Sequence, residues 1–321
     1  MMKFYMLLDF VGILRETLKL FLKNVKLMSC IILLIISLRS ILLVSNIYSI
    51  KPLLIDFTLN AALLPSTVAG TPDFNHLLVT LKEDLRLFAG LEWLFISASC
   101  FASLFFTTAS ILASGVTYRG QDLSVKELLS RAVKSLKRPF VTWFYIALLD
   151  LGFYLFIIVF LLPLLLAFGL TYTTPAFSKT VFLLALVFQA YLAVVWNLAL
   201  VVSVLEEKSG VEALGKAGQL IKGSTLRGFF LNLLSGAFSL LVFYGWHKTG
   251  TTVKSLNAAT IPLLLMNLIS CFIRMSMLMI YTVLYHKCKE THGEELEMQG
   301  STEYTKVATS ASTPFISADV A

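Results

Sequence analysis

The sequence predicts an all-α integral membrane protein with six transmembrane helices and three cytoplasmic amphipathic helices. Its 321 residues are 57% hydrophobic and 14% charged, with a mean hydropathy of +0.82, which is too apolar for a soluble domain. Several uninterrupted apolar stretches reach the length of about 20 residues that crosses a bilayer. The formal charge of +7 comes from short basic blocks beside these stretches, so it predicts contact with lipid headgroups and not with nucleic acid.

The predicted spans follow one another along nearly the whole chain. Runs of this length exclude the alternating pattern of a transmembrane barrel. A loop of 35 residues, 51–85, is expected to separate the first two spans outside the membrane. The spans cover residues 27–50, 88–117, 140–168, 180–205, 226–246 and 257–286.

The distribution of lysine and arginine predicts the orientation of the spans. Eighteen of these residues fall on the side that holds both termini, and six fall on the other side. Cytoplasmic segments carry the excess of Lys and Arg, so both termini are predicted to be cytoplasmic. The same count does not distinguish the plasma membrane from the endoplasmic reticulum.

The segment "SVKELLSRAVKSLK", residues 124–137, predicts a helix on the cytoplasmic surface. Ser124 and Glu127 have the spacing of a capping box, and the residues after them place apolar side chains on one face and basic ones on the other. Such a helix binds anionic lipid through its basic face. With the related segment near residue 215, the predicted lipid contacts are Lys126, Arg131, Lys134, Lys137, Lys216 and Lys222.

The surface-helix pattern recurs and predicts an internal threefold repeat of one surface helix and two spans. "SGVEALGKAGQLIKG", residues 209–223, repeats it 85 residues later, with Ser209 and Glu212 as the capping pair. A weaker copy is "VGILRETLKLFLKN", residues 11–24. The alternative is that basic amphipathic helices resemble one another by chance. The repeat gives units of about 8–117, 122–205 and 207–289, followed by a flexible cytoplasmic tail, 290–321.

Three segments carry a resemblance to known proteins: "SVLEEKSGVEALGKAGQLIKG" (203–223), "LYHKCKETHGEE" (284–295) and "EYTKV" (303–307). The chain resembles a family of uncharacterised plant multi-pass membrane proteins of similar length. The first segment is also similar to the surface-helix motif in the membrane domains of some bacterial glycerophosphodiester phosphodiesterases. The family resemblance implies six spans and a membrane location, and it supplies no catalytic residues.

Ionisable and amide side chains inside the spans form the sharpest candidate site. Arg39, Asp150 and Arg274 each lie about 15 to 18 Å along their helices from the cytoplasmic ends, near the bilayer midplane. Because an unpaired charge there is costly, we expect Asp150 to pair with one or both arginines, with Asn197 as a further partner. Two interpretations stay open: a structural ion pair, or a net positive site for an anionic headgroup or solute.

Other candidate chemistry in the chain is weaker. His286, Cys288 and His292 match no established metal-binding spacing, and the lysines between them would repel a cation, so no metal or other cofactor is predicted. Cys288 is a candidate for S-palmitoylation beside the membrane. A stripe of small residues in the second span favours helix packing, with a polar permeation path as the alternative. It contains Ser99, Ser103, Thr107, Ser110 and Ser114.

These features predict a non-enzymatic membrane protein. No phosphate-binding glycine loop or hydrolase motif occurs in the sequence. The first hypothesis is a structural or scaffolding protein that engages the cytoplasmic leaflet through its basic helices. The alternative is a transporter or lipid-handling protein that uses the buried cluster, since transporters are often built from repeats. Protein partners do not follow from the sequence.

Overall fold

The computed structural model of the chain describes residues 2–67, 70–121, 123–169, 175–252 and 256–291. These residues form helices and short connections, with no strand in the described ranges. The predicted tail lies outside the described residues from 292 onward. The helices are α1 Met2–Lys23, α2 Val25–Leu63, α3 Pro72–Tyr118, α4 Val125–Ser135, α5 Lys137–Gly169, α6 Pro175–Leu205, α7 Val211–Leu220, α8 Thr225–Thr252 and α9 Leu256–Thr291.

The structure confirms an all-helical integral membrane protein with six candidate spans. Helices α2, α3, α5, α6, α8 and α9 are each long and apolar enough to cross a membrane. In chain order, a shorter helix precedes each successive pair of long helices. This order fits a repeat of three units, and the repeat itself stays a prediction.

The connection between the first two spans differs from the expected loop of 51–85. Helix α2 continues to Leu63, α3 begins at Pro72, and a single 3-10 turn, Leu64–Ser66, starts the short connection. The Thr71 Oγ1 accepts a hydrogen bond from the Phe74 backbone amide at 3.3 Å, and this contact caps the start of α3. The position of residues 51–85 between two predicted spans suggests a loop, because hydropathy reports membrane depth and not helix length. The two spans therefore extend beyond the membrane as a helical hairpin.

The hydrophobic core lies at one end of the bundle. The C-terminal parts of α3, α6 and α9 pack together there, and their buried side chains include Ala109, Val201 and Leu284. Helices α6 and α8 cross so closely that a Cβ added to Gly228 would lie 2.4 Å from Val194 Cγ1. We call this the closed end, and the opposite end of the long helices the open end.

Helices α1, α4 and α7 lie at the closed end. Lys287 on α9 contacts Glu16 on α1 at 3.0 Å, and α7 buries Ala213 and Ala217 against the core. The Ser124 amide donates to Glu127 Oε2 at 3.3 Å, as the predicted capping pair requires.

The start of α7 differs from the prediction, because Gly210 and not Ser209 is the N-cap. Gly210 has a φ of 58°, a conformation that glycine adopts readily, and its amide donates to Thr142 Oγ1 at 2.9 Å. A Cβ at Gly210 would meet Tyr145 Cε2 at 3.0 Å, which is tighter than most contacts. The connection between α6 and α7 is therefore fixed by a close approach to α5.

Candidate functional site

A polar cavity lies between the helices at mid-depth and extends toward the open end. It consists of two spaces, of about 680 Å³ and about 360 Å³, whose walls share Arg39, Thr107 and Arg274. We call these two neighbouring spaces together the arginine cavity. Helices α2, α3 and α9 form one side, and α6 and α8 form the other.

The two arginines face this cavity from neighbouring helices. Arg39 on α2 is half-buried, and its Nη1 donates to Cys271 Sγ at 4.0 Å. Arg274 on α9 is exposed, and the space to which it is exposed is the cavity. Both guanidinium groups border the same two spaces. Among the described residues, no salt bridge joins either of them to a carboxylate.

Contacts between α2 and α9 fix the positions of the arginines. Asn267 Nδ2 donates to Ser40 Oγ at 3.4 Å, one residue after Arg39. Cys271, one turn before Arg274 on α9, is buried and lies beside Arg39. Polar contacts between α2 and α9 therefore hold the two arginines in place, and both side chains line the cavity.

An amide network forms the wall of the cavity on the α6 and α8 side. Tyr281 Oη donates to Asn232 Oδ1 at 2.6 Å, and Asn197 Nδ2 approaches the same oxygen at 3.4 Å. Asn232 Nδ2 donates to the Ala190 carbonyl at 2.9 Å. The network ties α6, α8 and α9 together. It places the predicted residue Asn197 in the same cavity as Arg39 and Arg274.

The expected pairing of Asp150 with the arginines is not what the structure contains. Asp150 Oδ1 accepts a hydrogen bond from Gln189 Nε2 at 2.6 Å, and neither residue lines the cavity. Helix α5 packs mainly against α6 and not against α2 or α9. Equal depth predicted the pair, but depth does not determine which helices are neighbours. The predicted cluster therefore splits into the arginine cavity and a separate Asp150–Gln189 contact.

The outer part of the cavity contains residues that the sequence reasoning missed. Glu92 and Asn46 line it together with Trp246. Glu92 lies 11 residues before Ser103 on α3, or about 16 Å toward the open end. The sequence did contain a signal for Glu92, because its carboxylate lies within the apolar segment "FAGLEWLF", residues 88–95. It lies close to the predicted start of the second span, where an acidic residue usually contacts headgroups.

The stripe of small residues on α3 lies partly in the wall of the cavity and partly in the hydrophobic core. Ser99, Ser103 and Thr107 line the arginine cavity, and Ser114 is fully buried in the core at the closed end. Ser114 Oγ donates to the Ser110 carbonyl at 2.8 Å, which satisfies its hydroxyl within the helix. One half of the stripe thus packs helices and the other half supplies hydroxyl groups to the cavity.

A second polar cluster seals the closed end. Lys289 Nζ lies 3.4 Å from Glu206 Oε1, and Tyr285 Oη donates to the same oxygen at 2.6 Å. Tyr118 and His286 stack beside them with ring centroids 4.2 Å apart. These contacts join the ends of α3, α6 and α9, and none of these residues is part of the cavity wall.

The remaining predicted residues lie at or near the closed end. Cys288 is only 2% exposed, which argues against it as a palmitoylation site because an acyltransferase cannot reach the thiol without local opening. Five of the predicted lipid contacts are exposed and Lys216 is partly buried. The exposed five are Lys126, Arg131, Lys134, Lys137 and Lys222.

Comparison with known proteins identifies a family. No curated protein and no solved structure gives a significant match to the chain. A family model covers the six candidate spans together with the segment beyond α9. From this match over residues 3–321, the chain belongs to the family described as "Domain of unknown function (DUF8558)".

Proposed function

We propose that this protein is a non-enzymatic transporter or lipid-handling protein that binds an anionic group in the arginine cavity. The observation that carries the proposal is the pair Arg39 and Arg274, which face one cavity at mid-depth without a carboxylate partner among the described residues. An arginine at the bilayer centre costs at least about 2.5 kcal/mol, and such residues usually line a substrate path or a water-filled space.

The chemistry of the cavity favours an anion. Guanidinium groups bind carboxylate and phosphate through paired hydrogen bonds. Asn197, Asn232 and Ser270 add neutral donors and acceptors to the same wall. Glu92 stands apart near the open end, so the described lining at the depth of the arginines carries an excess of positive charge. A purely structural role does not explain why both arginines line one cavity without a carboxylate partner among the described residues.

The shape of the bundle supports a conformation that is open on one side. The cavity extends from the arginines toward the open end, and the Glu206–Lys289 cluster closes the other end. A transporter binds its substrate near the bilayer midplane and exposes the site to each side in turn. With both termini in the cytoplasm, as the Lys and Arg distribution predicts, the cavity opens away from the cytoplasm.

Contact with the cytoplasmic leaflet is a second proposal, favoured by the exposed basic side chains of α4. Leu128 and Ala132 are buried on one side of this helix, while Lys126, Arg131 and Lys134 are exposed on the other. We expect a peptide of residues 122–139 to bind vesicles that contain phosphatidylserine and to be released by salt, each basic residue contributing about 1 kcal/mol at most. Equal binding to neutral vesicles would contradict the electrostatic contribution.

Two finer interpretations accompany these proposals. The order of one shorter and two longer helices supports three units descended from one repeat. The similarity of the α7 segment to the membrane domains of bacterial phosphodiesterases stays a prediction.

Substitution of either arginine is expected to abolish most anion binding. In purified protein, phosphate or sulfate should raise the thermal unfolding temperature of the parent because guanidinium groups bind both anions. Each charge-assisted hydrogen bond contributes about 1.5 to 3 kcal/mol, so Arg39→Gln and Arg274→Gln should each weaken the affinity at least about tenfold. The measurement is the unfolding temperature as a function of anion concentration.

The matched control is Arg86→Gln, the same substitution at an exposed position on the open-end side of α3. This variant should keep the parent's response to anions. Asp150→Asn provides a second control, because Asp150 accepts a hydrogen bond from Gln189 and does not line the cavity. A response that is unchanged in both Arg39→Gln and Arg274→Gln would refute the proposed site.

A further inference from the structure

We infer that the ligand of the arginine cavity is an elongated zwitterion, with an anionic group at one end and an ammonium group at the other. This inference rests on the proposed function, because it assumes that Arg39 and Arg274 bind an anion. It adds the chemical class of the ligand and assigns the ammonium group to Glu92, a residue that has no role in the anion site.

The first observation is a carboxylate in the same cavity as the two arginines. Glu92 on α3 lines the space of about 680 Å³ together with Arg39 and Arg274, and it is the one carboxylate among the described residues of the cavity wall. It is half-buried, and no ion pair or hydrogen bond joins it to another described residue. Because partial burial of an unpaired charge costs free energy, this carboxylate indicates a cationic group in the ligand.

The second observation is the distance between Glu92 and the arginines. Ser99 and Ser103 follow Glu92 on the same face of α3, and both line the cavity with the arginines. They lie seven and eleven residues farther along the helix, which is about 10 and 16 Å deeper in the bundle. The carboxylate and the guanidinium groups are therefore too far apart to neutralise one another.

The third observation is the chemistry of the wall between the two charged ends. Phe95 and Ser99 lie between Glu92 and the deeper part of α3, and Asn46 lies on α2 two turns beyond Arg39 toward the open end. None of these side chains is charged. An inorganic anion gains no contact from Glu92, whereas a zwitterion with an uncharged middle is complementary to both ends of the cavity.

The spacing of the charges sets the length of the ligand. Its anionic group and its ammonium group should be about 10 to 16 Å apart to contact both ends of the cavity. An extended peptide spans about 3.5 Å per residue, so oligoglycines of about three to five residues place their carboxylate and amine at this separation. They are suitable probes because they have no side chains that add contacts of their own.

The first experiment measures the affinity of oligoglycines for the purified parent protein by titration calorimetry at neutral pH. Tetraglycine is expected to bind at least about tenfold more tightly than diglycine, which is too short to reach both ends. N-acetyltetraglycine is the matched control for the charge, because it keeps the carboxylate and lacks the ammonium group. It should bind at least about tenfold more weakly than tetraglycine, since a hydrogen bond between charged groups is lost.

A variant of Glu92 tests where the ammonium group binds. In Glu92→Gln, tetraglycine and N-acetyltetraglycine should bind with equal affinity, and the affinity for inorganic phosphate should not fall. Retained phosphate binding shows that the variant is folded. Glu83→Gln is the control, because Glu83 is exposed on the same helix and does not line the cavity. This variant should keep the preference for tetraglycine.

Several results would overturn the inference and leave the proposed anion site intact. These are equal affinity of the parent for tetraglycine and N-acetyltetraglycine, a preference that persists in Glu92→Gln, affinity that does not rise from diglycine to tetraglycine, and binding of phosphate without binding of any oligoglycine. Failure of phosphate, sulfate and every oligoglycine to bind would overturn both the inference and the proposed function.

Discussion

Glu206→Gln is expected to lower the free energy of unfolding by about 3 kcal/mol. The side chains of Glu206 and Lys289 are only 10% and 5% exposed, and their oxygen and nitrogen atoms lie 3.4 Å apart. Glutamine keeps the size of the side chain and can still accept the hydrogen bond from Tyr285. It removes the negative charge, however, and leaves the Lys289 ammonium buried without a counter-charge. Breaking a buried pair in this way costs about 3 to 5 kcal/mol.

The neighbouring residue supplies a matched control for this prediction. Glu207 is 77% exposed and pairs with Arg138 at 3.1 Å on the surface. Glu207→Gln should change the stability by less than about 1 kcal/mol, because exposed pairs contribute little. Adding Lys289→Met to Glu206→Gln should restore much of the lost stability, since the unpaired charge is then gone. Denaturant unfolding of the purified variants measures all three.

If Glu206→Gln and Glu207→Gln have equal stability, the closed end is not held by a buried pair. That result would remove the main contact that seals the cavity on this side. The proposed conformation, open at one end only, would then lack its physical basis.

Length and hydropathy were sufficient to predict the six spans from the sequence. A run such as residues 140–168 does not fit a helix of a soluble protein, since an apolar helix of that length must be buried in lipid. The extension of α2 to Leu63 and the start of α3 at Pro72 were missed. Helices outside the hydrocarbon can be polar, so hydropathy cannot find their ends. The signals for α3 were local ones, Pro72 and Asp73 following the cap Thr71.

The candidate site was predictable only in part. The sequence indicated Arg39, Arg274 and Asn197 because burying a polar side chain in a transmembrane helix costs free energy, so such a residue usually has a structural or functional role. Asp150 was assigned to the same cluster on depth alone, and the packing of α5 against α6 gave it Gln189 as its partner instead. Which helices are neighbours depends on the shapes of their faces. A single sequence contains no direct signal for that.

The loss of Asp150 from the cluster changes the balance between the two original hypotheses. With Asp150 beside them, the arginines would form a structural ion pair. Without it, Arg39 and Arg274 form a positively charged wall with open space in front of it. The transporter or lipid-handling proposal therefore gains support from the same observation that corrected the prediction.

The measurement that tests the central claim is the reaction of Ser103→Cys with a charged, membrane-impermeant thiol reagent. The background lacks Cys30 and Cys100, the two cysteines that are partly exposed. Ser103 lines the arginine cavity at mid-depth, so its cysteine should react if water fills the cavity. Phe101→Cys, two residues away and 63% exposed on the outside, should not react because hydrocarbon excludes the charged reagent. Ser114→Cys should not react because its position is fully buried.

Two further cysteines report the side from which the reagent arrives in sealed vesicles. Asp73→Cys marks the open end and Lys134→Cys marks the closed end, and both positions are exposed. The cavity predicts that Ser103→Cys reacts under the conditions that label Asp73→Cys, and is protected under those that label only Lys134→Cys. Absence of reaction from both sides, or reaction only together with Lys134→Cys, would contradict a water-filled cavity that opens away from the short helices.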